Sequence, residues 1–277
     1  MNPLLLLTDF SESGNHAVEY GYHLAKHLKA NVVLCNAVDL TESTNVLWPA
    51  EAYDTLIADS GKELKKLKKH LEQSDHTTGF HPQISHQSKL GRLADVVQSL
   101  RQKQDFYMVV IGAHRKGISR FLLENHSKSM IDTLNCPLLV VPEEALLTGI
   151  KKIAFATDFK NHKRDLESIY VLIPMAERMD AKILLTHIHG AGQRDIKKAE
   201  DAFLTEISNK ANYPHIFYSC IENDKIEEGL CALSAHQQVD LLVMLHRSRD
   251  FFELIFNKSY THNVAGSITI PLMVIPE

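Results

Sequence analysis

No apolar run in this sequence approaches the roughly 18 residues that a membrane-spanning helix requires. Positive charge is not in excess either: 30 Lys and Arg stand against 34 Asp and Glu, a net charge of −4. That balance argues against a general nucleic-acid or anionic-membrane binder. Cysteine is sparse, with Cys35, Cys136, Cys220 and Cys231 far apart and no CxxC spacing. Three of them fall in or beside apolar strand-like runs, so they read as buried thiols in a reducing compartment, and a cytoplasmic location is expected. The phosphate loop GxxxxGK[ST] does not occur, nor does the G-x-S-x-G elbow of serine hydrolases. The opening MNPLLLLTDF has no basic lead-in and Asp9 interrupts its apolar run, so it reads as a strand rather than a secretory leader. One tryptophan, Trp48, precedes Pro49 ahead of a long helix, where it either meets a partner or a lipid or covers the edge of its own domain.

What is present is a regular alternation. With 277 residues, 44% hydrophobic and 23% charged, the chain can bury the cores of one large or two ordinary domains. Pro3–Thr8 is too short for a helix and suits a strand buried on both faces. Ala17, Tyr20, Gly21, Leu24, Ala25 and Leu28 then recur at helical spacing. Ala30–Val38 is the next strand. From Glu51 to about Ser74, Leu56, Leu64, Leu67 and Leu71 mark one helix side, and the lysines of KELKKLKKH read as its solvated face. A strand over His81–Lys89, a helix over Leu93–Leu100 and a strand over Phe106–Gly112 follow. A basic loop and a further helix lead to a last strand, Pro137–Val141. Buried strands alternating with helices mean a mostly parallel sheet covered on both faces, with a crevice beyond the carboxyl ends of its strands.

After a short connection, Glu143–Gly149, the pattern restarts. KKIAFATDF, ending at Phe159, mirrors LLLLTDF, with Thr-Asp-Phe intact. Ala181–His189 mirrors Ala30–Val38, Lys225–Val239 mirrors the Leu93 helix, and Leu241–Ile275 mirrors Val109–Val141. CPLLVVPE and IPLMVIPE end the two copies. This is an internal duplication at domain size, with domains expected over residues 1–145 and 150–277.

Asp9 and Asp158 each end the first strand of a copy, at the mouth of the crevice. Each either caps the following helix or positions a ligand's ribose, base edge or divalent ion. Gly112, at the end of its strand, opens GAHRKGIS, where Gly117, His114, Arg115 and Lys116 add backbone donors and positive charge before a helix: either the physics of phosphate holding or a plain strand-to-helix connection. His187 and His189 form an HxH on one strand face, but no third ligand stands at a telling spacing, and no metal is expected. Sixteen histidines is a high count, but His16, His23, His27, His70, His76, His81 and His86 are scattered through helical and loop-like segments and read as a solvated surface rather than a pH sensor.

TDFSES with its Ala-rich helix, and VVIGAHRKG…SRFLLEN…CPLLVVP, resemble the universal stress protein family. The second copy is similar through ATDF and IPLMVIP. The resemblance covers essentially the whole chain as two tandem domains. It implies two Rossmann-like α/β domains of the adenine nucleotide alpha hydrolase-like type, each a five-stranded parallel sheet of order 3-2-1-4-5 with helices on both faces. It also implies that the two domains pair with each other through their last strands, with a further homodimer and unnamed protein partners left open. The ATP-binding branch carries a G-x-x-G-(nine residues)-G-Ser/Thr pattern after the fourth strand. Gly112 matches its first glycine; Arg115 stands at the second, with Gly117 nearby; Glu124-Asn125 falls on the last pair. A carboxylate at Glu124 would face phosphate oxygens. In the second copy the positions fall on Met244 or Leu245, near Ser248, and on Lys258-Ser259, where only Ser259 matches.

Three readings remain. The first is a stress-response binding or regulatory protein with no catalytic constellation. The second is a sensor whose N-terminal domain holds ATP or AMP, with magnesium, through Asp9, Gly112, His114, Arg115, Lys116, Gly117, Asn125 and His126, with slow ATP hydrolysis as an extension. The third is a binder of a small apolar or lipid-like ligand, suggested by Phe251, Phe252, Leu254, Ile255 and Phe256 standing where a phosphate loop would be.

Overall fold

The computed structural model describes residues 1–39, 50–76, 78–113, 134–159, 161–190, 197–225, 228–230, 232–233, 239–245 and 269–276. The chain divides into two compact units, Met1–Leu147 and Thr148–Glu277.

The N-terminal unit contains β1 (Leu4–Leu7), α1 (Glu12–Leu28), β2 (Val32–Val38), α2 (Ala50–Ser74), β3 (Ile84–Leu90), α3 (Leu93–Arg101), β4 (Met108–Ala113) and β5 (Leu138–Pro142). The strands lie in the order β3-β2-β1-β4-β5 and every pairing is parallel. The run Leu4–Leu7 is buried on both faces because it is the central strand, paired to β2 on one side and β4 on the other. A fully buried leucine contributes about 1.5–3 kcal/mol, so these four side chains form much of the core's centre.

The helical stripe of α1 is buried as its spacing predicts: Ala17, Tyr20, Gly21, Leu24, Ala25 and Leu28 all face inward. Ser11 caps its start by accepting from Gly14 N–H, and Lys29 closes its end in the left-handed region. The helix packs on β1, β4 and β5, while α2 packs on β2 and β3. On α2, Leu64 and Leu71 are buried and Lys62, Lys65, Lys66 and Lys69 are exposed. Beyond α2, the carboxylate of Asp75 ties three segments together. It accepts from Tyr22 Oη at 3.0 Å, from Lys26 Nζ at 2.5 Å, and pairs with His81 Nδ1 at 2.9 Å.

The C-terminal unit contains β6 (Lys152–Ala156), α4 (His162–Met179), β7 (Lys182–His189), α5 (Lys197–Lys210), β8 (Ile216–Glu222), β9 (Leu241–Leu245) and β10 (Leu272–Ile275). Its order, β10-β9-β6-β7-β8, again all parallel, is that of the first unit. Asn161 caps α4 through Arg164 N–H, and Asp180 ends it in the left-handed region. Asp240 anchors the start of β6 by accepting from the N–H groups of Lys151 and Lys152 at 2.7 and 2.8 Å. The helix after β7 has 14 residues where α2 has 25, which is why the second copy is shorter. Among the described residues no helix is long and apolar enough to cross a membrane.

Of the thiols, Cys35 and Cys136 are buried, whereas Cys220 is exposed. The sequence expectation of burial fails at Cys220 because β8 is the last strand in its unit's order, so its far side has no neighbour within the unit. Cys231 lies outside the described residues.

Candidate functional site

In a parallel sheet of this order the connections leave β1 and β4 in opposite directions, and their carboxyl ends open a crevice at the point of reversal. Leu6 pairs with Val110, so Thr8 and Gly112, two residues further on each strand, end level with each other. The structure thus brings Asp9 and Gly112 to one place. His114, Arg115, Lys116, Gly117, Asn125 and His126 lie outside the described residues, as do Trp48, Glu124 and the Phe251–Phe256 segment.

The turn after β1 is built by its own side chains. Thr8 Oγ1 accepts from Phe10 N–H at 2.9 Å and donates to Asn15 Oδ1 at 3.0 Å. Asp9 Oδ1 accepts from Ser11 N–H at 3.0 Å and from Ser11 Oγ at 2.5 Å. Asn15 Nδ2 reaches back to Phe10 O at 3.3 Å. Hydroxyl and carboxylate acceptors bonding the N–H two residues on are the standard way such residues fold a turn. They hold Phe10 at φ 65°, a conformation that costs a non-glycine residue about 1–2 kcal/mol.

Asp9 is therefore not itself the helix cap. Ser11 is, and Asp9 orients Ser11. The carboxylate rests against Gly14, where an added Cβ would stand 2.5 Å from Asp9 Oδ1. Gly112 is also read more closely by the structure. A Cβ there would meet Ser13 O at 2.5 Å and Ser13 C at 2.8 Å, so its bare Cα admits the first turn of α1.

The same turn recurs in the second unit. Phe159 N–H donates to Thr157 Oγ1 at 3.0 Å with Phe159 at φ 55°. Thr157 Oγ1 donates to Asp165 Oδ2 at 2.8 Å, so Asp165 takes the place of Asn15. Asp158 is half-buried. The surroundings differ: Phe159 meets the rings of His187 and Phe203, each at 5.1 Å, and of Tyr218 at 6.2 Å. His187 and His189 stack at 6.0 Å, and His187 Nδ1 bonds Thr157 O at 2.8 Å. His187 Nε2 is buried and has no hydrogen-bond partner among the described residues. Among those residues no group of three His, Cys, Asp or Glu is placed to hold a metal.

Sequence reasoning singled out Asp9 and passed over Thr8, Asn15, Asn36, Ser60 and Ser88, the residues that hold it. Asn36 Nδ2 donates to Thr8 O at 2.8 Å, Ser60 Oγ donates to Asn36 Oδ1 at 2.8 Å, and Ser60 Oγ lies 2.7 Å from Ser88 Oγ. Asn36 and Ser60 are each 7% exposed. The available signal was the intact Thr-Asp-Phe triplet in both copies and polar residues inside otherwise apolar segments.

The universal stress protein family model matches residues 1–142, a little over half of the 277 residues. Among solved structures, a universal stress protein of Archaeoglobus fulgidus is 13% identical with a TM-score of 0.71, covering 100% of this chain and 96% of that one. A functionally unknown protein of Pseudomonas aeruginosa is 12% identical with a TM-score of 0.56, covering 100% and 92%. The cytoplasmic domain of a prokaryotic cation chloride cotransporter is 10% identical with a TM-score of 0.50, covering 99% and 94%. At such identities the likeness speaks for the fold, which hosts more than one function. No curated protein matches the chain. The match over the first unit, on a parallel sheet of the expected order that the second unit repeats, means that this chain belongs to the universal stress protein family.

Proposed function

We propose that the protein is a binding and regulatory member of the family, and that its N-terminal unit holds an adenine nucleotide, ATP or AMP, at the carboxyl ends of β1 and β4. The observation that carries this reading is the placement of the exposed carboxylate of Asp9 at the reversal point beside Gly112. Asp9 Oδ1 is engaged by Ser11. Oδ2 is the oxygen to which ribose hydroxyls would donate, as an acidic residue does at other nucleotide crevices of open α/β sheets. The basic stretch His114–Lys116 follows β4 directly and would carry the phosphates, with Gly117, Asn125 and His126 beyond it. Magnesium would accompany ATP there.

Asp9→Asn is the variant of choice. It keeps an oxygen for Ser11 and replaces the outward acceptor by an N–H donor. Gly112 is less informative, because any side chain there displaces Ser13 rather than only a ligand. Calorimetric titration of the whole chain with AMP, and with ATP and magnesium, should show saturable binding near one per chain. Losing one charged hydrogen bond, about 1.5–3 kcal/mol, should weaken the variant about 10- to 150-fold. No heat from the unaltered chain at millimolar nucleotide would sink the reading.

A further inference from the structure

The turn that presents Asp9 is held from behind by a directed chain of hydrogen bonds, buried at Asn36 and part-buried at Ser88. A carbonyl oxygen only accepts, so Asn36 must offer its amide nitrogen to Thr8 O and turn its amide oxygen toward Ser60. Ser60 has one proton, which that oxygen takes. Ser88 must then donate to Ser60 Oγ across their 2.7 Å separation. The order is Ser88 on β3, Ser60 on α2, Asn36 on β2 and the Thr8 carbonyl after β1. Each bond polarises the next, and a fully satisfied buried chain rigidifies what it ends on.

The second unit makes the same contact with a different residue. Leu7 pairs with Cys35 and Ala156 pairs with Thr186, so Asn36 stands beside Thr8 as His187 stands beside Thr157. His187 Nδ1 bonds Thr157 O at 2.8 Å, the distance between Asn36 Nδ2 and Thr8 O. In both units the strand ladder ends one atom group earlier, with Thr8 N–H on Cys35 O and Thr157 N–H on Thr186 O at 3.0 Å. Two copies that differ at this position in side chain, size and aromaticity retain one function there: an N–H donor on the carbonyl of the turn threonine.

From this we infer that Asn36 is a positioning residue for the nucleotide site, fixing the Thr8 carbonyl and thereby the direction in which Asp9 is presented, with Ser60 and Ser88 setting its amide. The assignment rests on the nucleotide reading above. Loss of the donor frees the peptide between Thr8 and Asp9 to rotate, and the Asp9 carboxylate turns with it.

The test compares Asn36→Ala with Asn36→His, which restores a ring N–H in the manner of the second unit while giving up the acceptor for Ser60. Two readouts are needed: AMP affinity, and amide exchange at Phe10 and Ser11, whose N–H groups report the turn. Asn36→Ala should weaken AMP about tenfold or more and speed exchange at both amides. Asn36→His should recover affinity and slow exchange even though its melting temperature falls, because the core around Ser60 is disturbed. A residue with a merely structural role would show affinity tracking melting temperature in both variants. Wild-type AMP affinity in folded Asn36→Ala overturns the inference, as does Asn36→His binding no better than Asn36→Ala. Should the unaltered chain bind no AMP, the nucleotide reading fails and this role fails with it. Exchange at Phe10 and Ser11 then still shows whether Asn36 holds the turn.

Discussion

Replacing Thr8 by Val isolates the bond set that folds the first turn, because the two side chains have nearly the same shape and Thr8 is 6% exposed. The substitution removes one acceptor and one donor together. Phe10 N–H loses its 2.9 Å partner and Asn15 Oδ1 loses a hydroxyl at 3.0 Å. An unsatisfied buried group costs about 1–3 kcal/mol, and both contacts are part-buried, so the lower end applies to each. The sum is about 2–3 kcal/mol, with Phe10 losing what holds it at φ 65°. Thr8→Ser keeps the hydroxyl and should lose only a buried methyl, about 0.8 kcal/mol. Two units in one chain need not unfold together. The assay is therefore residue-resolved hydrogen exchange alongside urea unfolding, with Thr157→Val as the matching change in the second unit. The Thr8→Val effect should appear in Met1–Leu147 and leave β6, β7 and β9 protected. A loss under about 0.5 kcal/mol, with Phe10 and Ser11 exchange unchanged, would refute the reasoning that Thr8 holds the turn.

Thiol chemistry should sort by burial. Burial pushes the Cys35 thiol up to about 12, against a smaller opposing pull from Lys89, and the Cys136 thiol up to about 11. In a Cys231→Ser background, iodoacetamide near neutral pH should label Cys220 in the native chain and reach Cys35 and Cys136 only on unfolding; rapid native labelling of Cys35 would contradict its placement. Acid should weaken the N-terminal unit. His23, although exposed on α1, and the half-buried His86 are each held below the ordinary 6.5, first by partial loss of water around the ring and then by lysines, Lys26 for His23 and Lys68 and Lys65 for His86. The unfolded chain then binds more protons than the folded one below about pH 6.5, so stability is complete above that value and declines as pH falls through it. Melting temperatures across this range should drop toward acid, and the drop should flatten in a His23→Gln, His86→Gln chain. An unchanged slope would mean that these two imidazoles do not carry it.

The architecture was legible because its signals are local and repeated. Four leucines in a row, a 3.6-residue stripe ending at Leu28 and the restart at KKIAFATDF each restrict what the backbone can do. Two copies of one pattern reinforce the same parallel sheet. The site was legible only in outline. Asp9 and Gly112 were marked by standing at strand ends. Nothing in TDFSES says that Phe10 adopts a left-handed conformation, that Ser11 rather than Asp9 caps α1, or that Gly112 is bare to admit Ser13. Those outcomes depend on which atoms approach once β1, β4 and α1 are assembled. Cys220 shows the same limit, since an apolar strand looks alike in the middle of a sheet and at the end of a unit's strand order.

By itself, then, the amino-acid order determined the elements, the duplication, the parallel sheet and the crevice end of each unit, because hydrophobic periodicity and chain connectivity are properties of the order alone. Tertiary structure decided which polar atoms meet. The Ser88–Ser60–Asn36–Thr8 chain joins residues up to 80 positions apart, and an asparagine in one unit and a histidine in the other do the same work. Hydrogen bonds are short and directional, and only the packed sheet brings their ends within reach.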